Sequence, residues 1–138
     1  MISQIVISGF RKKAAAMNTQ ELSFTLKGCK SANITGVSLY AEGVFLNVME
    51  GQEAQTSAIY KAFQKDSRFS EVTIILEKNI DAREFDDYRI GVTDIDVNEK
   101  ILQTFHLTPN SCEFFSKKLS SDIAALIAAF AKVNALQW

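Results

Sequence analysis

The chain has 138 residues, 47% of them hydrophobic and 22% charged, the proportions of one globular domain that buries enough surface to need neither disulfide nor metal for its core. A formal charge of −1 leaves no basic excess to neutralise phosphates, which argues against nucleic acid as a partner. No run of 18 apolar residues and no signal-like N-terminus occurs, so no membrane span and a cytoplasmic address are expected.

Ile2 to Ile7 reads as a strand rich in β-formers that ends at Ser8-Gly9. A loop with Arg11-Lys12-Lys13 leads to a helix, with Asn18 and Glu21 spaced as a capping box, Leu22 and Leu26 at i, i+4, and Gly28 at its end. Ile34 to Ala41 and Val44 to Glu50 are two β-rich runs joined by a tight hairpin at Glu42-Gly43. Gln52 to Asp66 carries Ala58, Ile59, Ala62 and Phe63 at helical spacing. Val72 to Glu77 and the shorter Asp86 to Val92 are further strands. The order β-α-β-β-α-β plus a short strand predicts an α+β, ferredoxin-like fold with two helices on one face of an antiparallel sheet.

Beyond residue 94 the pattern turns helical, and residues 94–138 are expected to form a C-terminal helical extension to the domain of residues 1–93. Val97 to Phe105 suggests a short helix with Ile101, Leu102 and Phe105 on one side. A longer one runs from about Ser111 to Ala135, with a possible break at Ser120-Ser121 where Ser121 could cap a second piece. Ile123 to Ala131 carries no charge, so that helix needs cover on more than one side. Either its own sheet or an oligomer or partner interface supplies it. Trp138 packs back on the domain or frays.

Residues that could carry chemistry are few. Cys29 and Cys112 lack ligand-like spacing and read as small buried hydrophobes. His106, the single histidine, excludes multi-histidine metal sites. Asp81, Glu84, Asp86 and Asp87 cluster with Arg83 in what reads as a solvated turn, without the pocket or fixed separation of paired catalytic carboxylates.

Asn33-Ile34-Thr35-Gly36-Val37-Ser38-Leu39-Tyr40, followed by Phe45-Leu46-Asn47-Val48-Met49-Glu50-Gly51, resembles the BLUF family of blue-light flavin sensors. That family shows a Gly-Ile-Thr-Gly-x-Leu-x-Tyr strand, a hairpin, and Phe-x-Gln-x-Leu-Glu-Gly leading into the second helix. Asp66-Ser67-Arg68-Phe69 resembles its Asp-x-Arg-His segment, and Phe85-Asp86-Asp87-Tyr88-Arg89-Ile90 its Phe-x-x-Trp-x-Met segment. The resemblance covers residues 1–93 and is specific between 34 and 92.

The resemblance implies an isoalloxazine ring between the two helices. It also implies a Tyr on the first strand that exchanges an electron and proton with the ring, a bridging Gln on the third strand, and an Asn at the end of the first helix. Here the Tyr-x-Ser of the first strand becomes Val6-Ile7-Ser8, the Gln becomes Asn47, and the Asn position falls on Cys29. Valine has no hydroxyl and no redox chemistry. Asn47 is one methylene shorter, which draws its amide back by about 1.5 Å. The expected outcome is a sensory and regulatory module, not an enzyme, with its flavin photochemistry lost and its cleft refilled by apolar side chains. Its output would run through protein partners or self-association at the C-terminal helices and the sheet face. The alternative is an FAD-binding photoreceptor with an altered photocycle, in which Ser8, Cys29, Asn47, Tyr88 and Ile90 line the ring. A third possibility, an acyl-phosphate hydrolase using Arg11, lacks the glycine-rich loop that cradles phosphate.

Overall fold

The β-branched run Ile5-Val6-Ile7 lies at the centre of the molecule, with each residue at most 1% exposed, on a strand covered on both faces. The computed structural model describes residues 1–12, 19–93, 103–111 and 118–134. Its elements are β1 (Ile2–Arg11), α1 (Thr19–Ser31), β2 (Thr35–Ala41), β3 (Val44–Gly51), α2 (Glu53–Lys65), β4 (Phe69–Ile80), β5 (Tyr88–Val92), β6 (Thr104–His106) and α3 (Ser121–Asn134). They build one sheet in the order β4-β1-β3-β2-β5-β6. β1 runs antiparallel to β3 and β4, β2 antiparallel to β3, and β5 and β6 extend the sheet in parallel. The order 4-1-3-2 with two helices on one face is the ferredoxin-like α+β arrangement that the element order predicts.

Pairing carries two strands past their local stop signals. Gly9 and Phe10 stay in the sheet opposite Phe45 and Val44, so β1 reaches Arg11, and β4 extends at both ends beyond Val72–Glu77. α1 does not stop at Gly28. It ends three residues later in a Schellman turn, where Ile34 N–H donates to Cys29 O at 2.8 Å and Asn33 N–H to Lys30 O at 3.1 Å. Asn33 takes the left-handed φ of 55° that this motif requires. Asn18, the expected cap, lies outside the described residues.

The C-terminal expectations need correction. Residues 94–102 lie outside the described residues, but Thr104–His106 is a strand, so Phe105 is not helical. Its ring lies over Gly91, where a Cβ would come within 2.5 Å of ring carbons. This cross-strand contact, with β-ladder bonding to β5, outweighs the helical spacing of Ile101, Leu102 and Phe105. α3 begins at Ser121, at the break that Ser120-Ser121 allows. Ser120 is its N-terminal cap position, its carbonyl accepting Ala124 N–H at 2.9 Å. Residues 112–117 lie outside the described set.

The sheet separates two cores. On one face Ile5, Ile7, Phe45 and Met49 pack with Leu22 and Cys29 of α1 and with Ile59 and Phe63 of α2. On the other, Val6, Val37, Leu39, Leu46 and Val48 pack with Leu107 and with Ile123, Ile127 and Ala131 of α3, an i, i+4, i+8 stripe. α3 thus covers this face of the sheet. Among the described residues no helix is long and apolar enough to cross a membrane.

Candidate functional site: a cleft between two helices

α1 and α2 do not close over the sheet. A cavity of about 280 Å³ lies between them, mostly apolar in its lining, near the lower end of the roughly 300–1,000 Å³ of small-molecule sites. Phe24, Thr25, Gly28, Cys29 and Ala32 form one wall, Ile59, Ala62 and Phe63 the other, and Ser38, Tyr40, Met49 and Tyr88 the floor. A wall residue such as Gly28 has nothing within 4 Å of the place its Cβ would take. The expectation of a cleft refilled by side chains is therefore not met: Gly28, Ala32 and Ala62, set among the larger Phe24, Ile59 and Phe63, leave the space between the helices open.

The sheet register fixes which side chains face this cleft. Across the ladder, Ile7 of β1 stands opposite Asn47 of β3, which stands opposite Ser38 of β2, which stands opposite Ile90 of β5. Paired residues share a face, so these four form one row on the helix side. Asn47 is 0% exposed, and neither Oδ1 nor Nδ2 has a hydrogen-bond partner among the described residues. Leaving such a group buried and unpaired costs roughly 1–3 kcal/mol. Beside it, Ser38 Oγ and Tyr88 Oη share a buried hydrogen bond of 2.5 Å. Burial pushes the Tyr40 hydroxyl up to about 12, partly offset by hydrogen bonding to Ser38, and burial holds Tyr88 well above the usual phenol value. The Cys29 thiol is pushed up to about 12 by burial, so it sits in the wall as a neutral thiol rather than a nucleophile.

Cys29, Asn47, Tyr88 and Ile90 are thus gathered on the cleft face. Val6 and Ser8 are not. Val6 pairs with Val48 and belongs to the α3 core, and Ser8 pairs with Leu46 and lines a groove with Phe130 and Asn134 of α3. The reason is the two-residue period of a strand: a placement shifted by one position crosses the sheet. The β1 residue that faces Asn47 is Ile7. The alignment to Val6 is corrected accordingly, and Ile7, like Val6, offers no hydroxyl. Residues missed in the sequence are Ser38 and Tyr40, both visible by strand alternation from Asn47 once the hairpin register is set.

Charges ring the mouth in pairs. Arg11 meets Glu21 at 2.9 Å, and Arg68 meets Glu21 at 3.2 Å and Asp66 at 2.6 Å. Hydrogen bonding from Arg68 holds the Asp66 carboxyl below its ordinary value. Arg11, the candidate phosphate ligand of a hydrolase, is engaged with Glu21. Behind the floor, the Glu50 carboxylate is 0% exposed and accepts from Thr35 Oγ1, Gln4 Nε2 and the backbone N–H groups of Glu84 and Phe85 at 2.8–3.1 Å. It ties the 81–87 loop, and hence the start of β5 at Tyr88, to β3. Glu84 accepts from Ser120 N–H and Oγ, so the carboxylates of this turn serve structure. No group of three or more acidic, His or Cys side chains able to hold a metal occurs among the described residues.

The family model "Sensors of blue-light using FAD" matches residues 2–91, and the chain belongs to the BLUF family. Among solved structures, "BlrP1 BLUF" superposes with a TM-score of 0.72 at 16% identity, over 95% of this chain and 90% of that one. "BlrB - a BLUF protein, dark state structure" gives 0.64 at 18% identity, over 96% of both chains. "Klebsiella pneumoniae BlrP1 with FMN and cyclic diGMP, no metal ions" gives 0.71 at 17% identity, over 95% of this chain and 36% of that one. No curated protein sequence matches.

Proposed function

We propose that this chain is a BLUF-family sensory and regulatory module whose cleft still holds a flavin but whose light chemistry is lost. The observation that carries this reading is the open cavity between α1 and α2, with the buried, unpartnered amide of Asn47 in the same strand row as the floor residue Ser38 and Ile7, not a phenol, opposite Asn47. A flat ring system fits between the walls of α1 and α2. The wall and floor residues Cys29, Met49, Ile59 and Phe63 would hold its faces and edges by apolar contact. Asn47 lies in the floor row and has both donors and an acceptor to spare. A bound flavin supplies absorption of blue light. What this chain lacks is a β1 side chain able to give an electron and a proton beside Asn47: Ile7 has neither, and the phenols of the cleft, Tyr40 and Tyr88, stand on β2 and β5 instead.

Without that step, the module's output does not depend on a light-driven rearrangement at Asn47. It acts through protein contacts, for which the outer side of α3 remains, with Val133 70% exposed. The alternative of a light-driven photocycle differs in one readout, a reversible red-shift of the flavin band under blue light. Occupancy itself is tested by titrating the purified chain with FAD and following flavin fluorescence and absorption. Saturable binding near one equivalent is expected. A protein that stays colourless after incubation with FAD overturns the cleft reading and returns the module to a flavin-free adaptor.

A further inference from the structure

The family strand carries Leu where this chain has Ser38, and the family segment carries Trp where it has Tyr88. Both replacements place hydroxyls on the cleft floor, on the β2/β5 side and away from Ile7. Ser38 is 1% exposed and Tyr40 and Tyr88 are 5% exposed, yet all three line the cavity. Their protons can be counted. Ser38 and Tyr88 bring two O–H protons and share one bond between them, so one proton is left to point elsewhere. Tyr40 beside them brings a third. Asn47, in register with Ser38, adds two N–H donors without a partner. Asn47 Oδ1 is likewise an unpartnered acceptor, so the floor keeps both O–H protons and lone pairs that a ligand edge can meet.

We propose that Ser38, Tyr40 and Tyr88 form a hydroxyl donor wall that orients a flat heteroaromatic ligand in the cleft by hydrogen-bonding a carbonyl or ring-nitrogen acceptor on its edge. This rests on the reading of the cleft as a flavin site and deepens it, because it moves the polar recognition from β1 to β2 and β5. The ligand class follows from the geometry: thin enough for the space between α1 and α2, apolar on its faces, and acceptor-rich on the edge that meets the floor. With burial holding both phenols in their protonated form, the wall donates throughout the neutral and mildly alkaline range.

The probe is riboflavin, titrated into the purified full chain and into the Tyr88→Phe, Tyr40→Phe and Ser38→Leu variants, with flavin fluorescence and the position of the visible band as readouts. Tyr88→Phe removes one oxygen and keeps the ring, so it should retain the wild-type circular dichroism spectrum and melting cooperativity. It is expected to weaken riboflavin binding roughly fivefold, the loss of about one neutral hydrogen bond, and to move the visible band of the bound ligand toward that of riboflavin in an apolar solvent. Ser38→Leu, which restores the family residue, is expected to do the same. Wild-type affinity and an unmoved band in Tyr88→Phe and Ser38→Leu would overturn the donor wall while leaving the cleft reading intact. Failure of the wild-type chain to bind riboflavin at all overturns both.

Discussion

Ile7 and Val6 are adjacent, both aliphatic and both fully buried, yet they serve opposite sides of the sheet. Ile7 faces the cleft beside Asn47, and Val6 faces α3. The assignment can be checked by putting the same phenol at each position. Ile7→Tyr adds a phenol next to Asn47, beyond Tyr40 and Tyr88 already in the floor, and should quench the fluorescence of bound FAD further than the wild-type chain does. Val6→Tyr forces a large side chain into the α3 core, and should leave bound FAD unaffected while lowering stability by about 1–3 kcal/mol, read by urea unfolding. The opposite pattern, quenching from position 6 alone, would mean that the register of β1 is wrong. The same scale shows what a motif can and cannot convey. Asn47 was identifiable from the residues around it, because Phe45 and Glu50-Gly51 anchor that segment. The first strand offers only Val6-Ile7-Ser8, with no residue type to fix the phase, and phase is what decides the face.

Elements were legible where local pattern and tertiary contact agree. The hairpin at Glu42-Gly43 is one such place: Gly43 adopts a φ of 78°, which a glycine takes at no steric cost, and the flanking β-branched runs pair in full register. α2 is another, with its apolar residues at helical spacing. They were misread where a distant partner decides. Gly28 has the composition of a helix end, but the stop is set by Asn33 in the left-handed region, a weaker signal in sequence. Phe105 has helical neighbours in the sequence but is held as a strand residue by β5 and by the space above Gly91. Glu50 shows how the pieces are joined. Its carboxylate satisfies two orphan backbone N–H groups of the 81–87 loop while bonding Thr35 and Gln4. Glu50→Ala should cost about 3 kcal/mol or more, since hydrogen bonds to a charged group contribute roughly 1.5–3 kcal/mol each and the N–H groups left behind stay partly buried. A change of under 1 kcal/mol in urea unfolding would show that the loop is held by something else.

Across the whole molecule, one sheet supports two cores of different kinds. On the α3 side Ile123, Ile127 and Ala131 pack tightly, at most 2% exposed, with a groove only toward Ser8, Phe130 and Asn134. The α1/α2 side keeps a cavity and the unpaired amide of Asn47. A domain that had simply discarded its ligand gains by filling such a space and removing such groups, since both an empty cavity and an unsatisfied amide are destabilising. Their persistence beside an aliphatic Ile7 is what the proposed reading, a flavin cleft without the family's photochemistry, expects. The most direct test is the absorption spectrum of the FAD-loaded chain before and after blue light. The expected result is a flavin band that does not move on illumination, and a reversible light-induced red-shift would contradict the loss of light chemistry.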